Sequence, residues 1–324
     1  MKAIVHSEYG SPDVLRLVEV AKPAPKDDEV LIRIRAASVN ALDWHMMRGR
    51  PLLARPMMGG VRKPKVTRPG VDVAGEVEAV GAKVTEFKPG DEVFGACQGA
   101  FAEYVCAVED GLTLKPANVS FEQAAAVPAA AITALQGLRD QGRIQSGQKV
   151  LVDGASGGVG TFAVQIAKSS GTEVTAVCST RNVDTARSMG ADEVIDYTRE
   201  DFTRSGKRYD LIIAANAYHS IFDYRRALSP DGVYVMVGGG GMQLLQGMLL
   251  GPALSLFGSR KMRFFVAKIV KKDLAFLKEL LEARKIVPVI DRRYPLSGAA
   301  DAIRYLEEGH ARGKVIITMG DTDT

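Results

Sequence analysis

Cysteine is scarce: the chain has three, Cys97, Cys106 and Cys178, in no paired-ligand spacing and no even framework. That scarcity excludes a disulfide scaffold and a four-cysteine structural zinc lobe, and it suits a reducing compartment. Long apolar runs are missing as well. The most apolar stretch, residues 242–257, is broken by Gln243, Gln246, Gly247, Gly251 and Pro252, whereas a bilayer span takes about 20 apolar residues. There is no basic tract: a net charge of +4 is spread along 324 residues, too weak and diffuse for a nucleic-acid partner. The opening Met1-Lys2-Ala3-Ile4-Val5-His6 runs straight into a strand-like pattern without a signal-peptide apolar region. Together these absences set the expectation of a cytoplasmic protein that engages neither membrane nor nucleic acid.

What remains is an ordinary globular mix, 46% hydrophobic and 25% charged, long enough for two domains or one large one. The first 120 or so residues read as β. Val30, Ile32 and Ile34 alternate with Leu31, Arg33 and Arg35, and turn signals recur at Gly10-Ser11-Pro12, Pro23-Ala24-Pro25 and Lys88-Pro89-Gly90-Asp91. Short strands so punctuated predict a barrel or a strongly coiled sheet. From about residue 122 the texture changes. A buried-strand run at 149–153 leads into glycine-rich sequence and then a helix with Val159, Phe162, Ala163, Ile166 and Ala167 on one face. Further strands at 173–178, 193–197, 209–214, 233–237 and 262–266 are mostly separated by helical stretches, the pattern of a parallel sheet. In the tail, Leu274, Leu277 and Leu281 mark one helix. Ala299, Ala302, Ile303 and Leu306 mark another, with Ser297 as its N-cap and Gly309 as its stop, before a closing strand at 313–318.

Asp153-Gly154-Ala155-Ser156-Gly157-Gly158-Val159-Gly160 lies between that strand and that helix. Glycines let the backbone turn tightly and approach a pyrophosphate, and the helix start offers unpaired N–H groups. Ser156, Gly157, Gly158 and Val159 are therefore the expected cradle of a dinucleotide. The second strand ends Val177-Cys178-Ser179-Thr180-Arg181-Asn182, without the carboxylate that usually holds the ribose hydroxyls of NAD. Ser179 and Arg181 suit a 2′-phosphate instead, so NADPH is the expected cofactor. The simplest layout inserts a nucleotide-binding domain, residues 122–265, into a β domain made of residues 1–121 and 266–324.

In this order, the glycine motif, Met189-Gly190-Ala191-Asp192 and Ile195-Asp196-Tyr197 resemble the medium-chain dehydrogenase/reductase superfamily, in its zinc-free quinone oxidoreductase and enone reductase branch. Ser38-Val39-Asn40-Ala41-Leu42-Asp43, Pro69-Gly70-Val71-Asp72-Val73-Ala74-Gly75, Lys88-Pro89-Gly90-Asp91-Glu92-Val93-Phe94, Ala131-Ile132-Thr133-Ala134-Leu135 and Gly313-Lys314-Val315 support it along essentially the whole chain. The resemblance implies an α/β fold, a Rossmann doubly wound sheet of order 3-2-1-4-5-6 inserted into a chaperonin-10-like barrel that forms the catalytic domain. It implies a homodimer through the nucleotide domain and a nicotinamide in the cleft between domains. It also implies cofactor contacts at Thr133, Tyr197, Asn216, Val237, Gly238, Phe265, Val266, Arg312 and Lys314.

Zinc-dependent relatives carry their catalytic ligands at positions that are Asn40, Val71 and Ala129 here, and valine and alanine supply no donor. Without a Lewis acid an alcohol is a poor hydride donor. An enone or a quinone is the better small-molecule partner, since a few hydrogen bonds and a proton stabilise the charge that develops on its oxygen. Candidate catalytic residues are Asn40, which can orient substrate or ribose, Trp44 as a cleft wall or a core residue, and His45 as a proton relay or a solvated side chain. Asp43 is expected to hold the loop through backbone N–H groups, and Arg48 is either a substrate anchor or a surface charge. The segment 242–260 is either a packed helix under the cleft or an adaptable apolar wall. Two other functions are weighed: a non-catalytic NADPH-binding sensor or scaffold, and an alcohol dehydrogenase that recruits zinc elsewhere.

Overall fold

The computed structural model describes residues 1–50, 52, 55, 60–256 and 258–320, so Phe257 of the Met- and Leu-rich segment and residues 321–324 of the tail lie outside the described residues. The chain forms two compact units, one of Met1–Ala129, Ile269–Ala283 and Pro288–Thr324, the other of Ala130–Lys268 and Arg284–Val287.

The first unit opens with a two-stranded ribbon, β1 (Lys2–Val5) and β2 (Arg16–Glu19). The long β3 (Glu29–Val39) follows, then helix α1 (Ala41–Arg48) and strands β4 (Asp72–Val80), β5 (Glu92–Ala96), β6 (Tyr104–Val108) and β7 (Leu112–Leu114), closed by helix α2 (Phe121–Ala125). The register of β3 against β4 breaks at Leu31/Ile32 and Ile34/Ala36. Such bulges bend a strand and sharpen its twist. One half of β3 pairs with β6 and the other half with the last strand of the chain. The resulting sheet surrounds a core of Ile32, Ile34, Val73, Val77, Phe101 and Leu112.

The second unit begins in helix α3 (Pro128–Gln136) and runs through β8 (Lys149–Asp153), α4 (Gly158–Ser169), β9 (Glu173–Cys178), α5 (Val183–Ser188), β10 (Glu193–Asp196), β11 (Tyr209–Ala214), α6 (Ile221–Ala227), β12 (Leu228–Met236), α7 (Gly241–Leu256) and β13 (Lys261–Phe264). Its six strands are all parallel, in the order β10-β9-β8-β11-β12-β13. That is the expected 3-2-1-4-5-6 sheet. Val150, Leu151 and Val152 are wholly buried, as a central parallel strand covered on both faces requires. The start of β12 is earlier than its apolar run suggests. Leu228 pairs with Tyr209, residues 229–232 loop out through Asp231 at φ 63°, and regular pairing resumes at Val233.

The chain then returns to the first unit with α8 (Lys271–Glu282), β14 (Ile290–Pro295), α9 (Ala299–Glu307) and β15 (Lys314–Thr318). The N-cap of α9 is Gly298 rather than Ser297, because a single 3-10 turn, Leu296–Gly298, takes up the serine. Segment 242–260 is mostly helix. Gly247 and Gly251 of α7 face Met236 and Met262, while Met242, Leu245, Met248, Leu249 and Leu256 stand exposed. Among the described residues no helix is long and apolar enough to cross a membrane.

Candidate functional site

In the second unit, strand register aligns Asp153 with Val177 and Ala214, and Cys178 with Asp196. Gly154, Ser179, Tyr197 and Asn216 therefore emerge side by side at the carboxyl edge, flanking the place where strand order reverses. Gly154 adopts φ 80°, and a Cβ there would lie 2.9 Å from the Cβ and backbone nitrogen of Asn216. A Cβ on Gly160 would sit 2.0 Å from the Gly154 carbonyl oxygen, so glycine is what lets the first turn of α4 close on the end of β8. No side chain caps α4, whose N-cap is Gly157. Its first-turn N–H groups are left for an anion. A cleft of about 530 Å³ opens at this edge, lined by Asp153, Gly154, Val177, Tyr197, Asn216 and His219 among others. Thr198, Arg199, Glu200, Asp201 and Tyr218 complete its lining, and the uncapped start of α4 offers N–H groups suited to an anion.

The end of β9 supplies further donors. Asn182, buried, gives one Nδ2 hydrogen bond to Ser156 Oγ at 3.0 Å and another to Ser179 Oγ at 3.1 Å. Arg181 is exposed in the one-turn segment Thr180–Asn182. Asp196, at the end of the neighbouring β10, is already engaged. It accepts from Thr180 Oγ1 at 2.5 Å and from Thr198 Oγ1 at 2.7 Å, and the Arg199 guanidinium lies 3.4 Å away. The Thr180 hydrogen bond leads these partners in holding Asp196 below the usual carboxylate range. Thr133 is half-buried on α3. The Val237 N–H donates to the Ala214 carbonyl at 3.0 Å, and a Cβ on Gly238 would lie 2.4 Å from the Ala215 oxygen. Side chains of Val237 and Phe265 flank Gly137, at 3.4 and 3.6 Å from where its Cβ would be, and Val266 is exposed just past β13.

Asp153 is the surprise of this edge. It accepts a hydrogen bond from the Tyr224 hydroxyl, and burial pushes its carboxyl up to about 7 against that bond and the Gly154 N–H. Burial, then the neighbouring Asp153, also drives the Tyr224 phenol well up.

In the first unit, register again builds the cluster. Ser38 of β3 pairs with Asp72 of β4, and Val39 with Val315 of β15, so Asn40, Asp72 and Lys314 meet at one end. Lys314 Nζ donates to Asn40 Oδ1 at 2.6 Å and lies 3.5 Å from an Asp72 carboxylate oxygen. Asp72 also accepts from Asn40 Nδ2 at 2.9 Å, Ser38 Oγ at 2.7 Å and the Ala129 N–H at 2.9 Å. Burial pulls the Lys314 ammonium below its usual range, while Asp72 and then Asp43 oppose the shift. The side chain expected on the cofactor thus lies within the first unit, and both ends of the Asn40 amide face inward. Asp43 accepts from the N–H groups of Asn40 at 2.7 Å and Gly70 at 3.1 Å, the loop-holding role expected of it. Burial, opposed first by the Asn40 bond, pushes it up to about 7.

Trp44 and His45 stack at 3.7 Å between ring centroids, and His45 Nδ1 lies 3.1 Å from the Arg50 carbonyl. Burial holds this imidazole below its ordinary range. Arg48 is committed to a forked pair with Glu307, which settles it as an ion-pair residue. Arg312 is exposed, its backbone N–H on Asp291 at 2.8 Å. Among the described residues no group of three His, Cys, Asp or Glu side chains gathers as a metal site. Sequence reasoning missed Asp72, Asn182 and Tyr224. A carboxylate inside the apolar run Val71-Asp72-Val73-Ala74 was a usable signal, since a buried charge demands a partner.

Residues 26–117 match the alcohol dehydrogenase GroES-like domain, and residues 189–317 match a family described as zinc-binding dehydrogenase. A quinone-oxidoreductase homologue of spinach, described as chloroplastic, is 38% identical, with 98% of each chain covered. An NADPH-dependent alkenal/one oxidoreductase of Arabidopsis thaliana, also chloroplastic, is 35% identical over 98% of this chain and 79% of that one. The quinone oxidoreductase structure from Coxiella burnetii superposes with a TM-score of 0.84 at 31% identity, covering 98% and 99% of the two chains. These relatives overturn the cytoplasmic expectation, because the similar chains are organellar. A missing signal-peptide region speaks only to the secretory route.

Proposed function

The chain belongs to the medium-chain dehydrogenase/reductase superfamily, in its quinone oxidoreductase and enone reductase branch, and on that premise we propose that it passes a hydride from NADPH to a quinone or an α,β-unsaturated carbonyl. It is an oxidoreductase that uses a nicotinamide cofactor; the 2′-phosphate and the acceptor are our reading. The observation that carries the cofactor choice is the donor set at the end of β9. Ser179 and Arg181 stand there, and the carboxylate at the end of the neighbouring strand, Asp196, is engaged by Thr180, Thr198 and Arg199. A bare ribose would find few free acceptors at that spot, whereas a 2′-phosphate finds donors.

Bound reduced nicotinamide supplies the hydride. Ser156, Gly157, Gly158 and Val159 hold the pyrophosphate in this reading, Tyr197 and Asn216 flank the adenosine side, and Thr133, Val237, Gly238, Phe265 and Val266 serve the nicotinamide side. Asn40 shapes the substrate side as part of the Lys314 and Asp72 cluster, and Trp44 walls it. His45 hydrogen-bonds the Arg50 carbonyl through a protonated Nδ1, and burial disfavours its cation. We therefore assign the proton to water. We further read the chain as a homodimer, supported by the exposed apolar side of α7 and by the sheet edge at β13.

The test is NADPH oxidation with a panel of quinones and enones. Turnover with members of the panel is expected; tight cofactor binding with no hydride transfer to any acceptor would assign a sensor or scaffold instead. Arg181→Ala should weaken NADPH about tenfold more than NADH, the loss of one charge-assisted contact. Light scattering of the purified chain checks the dimer.

A further inference from the structure

Asn182 joins two hydroxyls that come from different elements: Ser156 in the glycine turn and Ser179 at the end of β9. It is 4% exposed, and its own N–H is tied to the Ser179 carbonyl at 2.9 Å, so the amide has little freedom. Both Nδ2 hydrogens are spent on the two serine oxygens, at 3.0 and 3.1 Å. A hydroxyl that accepts from an amide keeps its own hydrogen to donate. Among the described residues neither serine has a protein acceptor for it. A carboxylate at 182 would do the opposite, accepting both hydrogens while keeping the same bridge.

We infer that Asn182 is a positioning residue that sets hydroxyl polarity, holding Ser156 and Ser179 as outward donors to phosphate oxygens. Ser156 then serves the pyrophosphate common to both dinucleotides, and Ser179 serves the 2′-phosphate. This rests on the NADPH reading above and adds to it the residue that makes those serines donors. A purely structural rivet between the turn and β9 would make the same two hydrogen bonds but would not care which partner donates.

The experiment is a double-mutant cycle read by dissociation constants, from nicotinamide fluorescence of NADPH and NADH on the full chain. Asn182→Asp is measured in the native and the Ser179→Ala background. In the native background it should weaken NADPH about tenfold more than NADH. In the Ser179→Ala background that selective loss should shrink to about threefold or less, because the hydroxyl it acts through is gone. An equal selective loss in both backgrounds would mean plain repulsion by the new carboxylate, and an unchanged NADPH-to-NADH ratio would mean a rivet; either overturns the role. Should Asn182→Asp fail to fold, Asn182→Ala enters the same cycle, with a coupling of about threefold or more expected and none overturning the proposal. A native chain that prefers NADH sinks the cofactor reading itself, which is a different result from a native NADPH preference that ignores residue 182.

Discussion

Each unit buries a carboxylate at a strand end, and the two are housed in opposite ways. Asp72, fully buried, has the Lys314 ammonium 3.5 Å away, together with the Asn40 amide, the Ser38 hydroxyl and the Ala129 N–H. Asp153, 6% exposed, has the Tyr224 hydroxyl and the Gly154 N–H and no cation among these partners. Neutral donors reward ionisation less than a fixed charge does, and burial pushes Asp153 up to about 7. The first carboxylate is a built-in half of an ion pair. The second is a group whose charge depends on pH, lining the cleft at the carboxyl edge of the sheet.

Breaking the pair in the first unit has the largest expected effect. Lys314→Met leaves Asp72 without its cation, and removing one partner of a buried pair costs about 3–5 kcal/mol. Chemical denaturation at neutral pH measures it, and a loss below about 1 kcal/mol would show that the ammonium is not what balances Asp72. In the second unit the sign reverses. Because Asp153 has a folded pKa raised to about 7, its folded form binds the proton more tightly than the unfolded chain. Stability is therefore full at low pH and falls as pH rises through that value. Asp153→Asn removes the charge and keeps an acceptor for Tyr224, so it should stabilise the protein by about 2–4 kcal/mol at pH 8. The gain should vanish near pH 4. Thermal unfolding across that range checks it, and a gain that does not depend on pH would mean the carboxylate was never the issue.

The sequence made one of these units much more legible than the other. Central parallel strands are buried on both faces, so β8, β9 and β11 read as contiguous apolar runs, and the order of the sheet followed from the family resemblance. The extra start of β12 did not read, because Ser229-Pro230-Asp231-Gly232 looks like a turn and is one, looped out between two paired stretches. The ion pair was illegible for a different reason. Asn40 and Lys314 are 274 residues apart, and only the pairing of Val39 with Val315 brings them together. Each residue alone suits a ligand contact, and their contact with each other depends on a register no local pattern encodes. Asn182 lies just past the apolar run of β9 and carries no local signal, because its bridge between two serines needs the geometry of two separate turns. Asp43 read correctly from local chemistry alone, since a carboxylate three residues past Asn40 at a helix start has backbone N–H groups to accept from.

The smallest effect is also the sharpest probe of the contrast. The Tyr224 hydroxyl makes two hydrogen bonds: it donates to Asp153 and accepts from the Tyr218 N–H at 3.0 Å. Tyr224→Phe removes both contacts, and the two losses depend differently on pH. The orphaned Tyr218 N–H costs the same at any pH, about 1 kcal/mol. The lost donor to Asp153 matters mainly when that carboxyl is ionised, and its removal lets the folded pKa climb further from about 7. With the folded pKa raised, the fall in stability continues to higher pH and ends lower, by roughly another 1–2 kcal/mol. Unfolding midpoints of native and Tyr224→Phe chains should therefore differ at pH 5 only by the constant Tyr218 contribution and separate further between pH 6 and pH 9. Curves offset by a constant amount throughout would show that the phenol props up the Tyr218 loop and does nothing for the charge on Asp153, and the two carboxylates would then differ less than their surroundings imply.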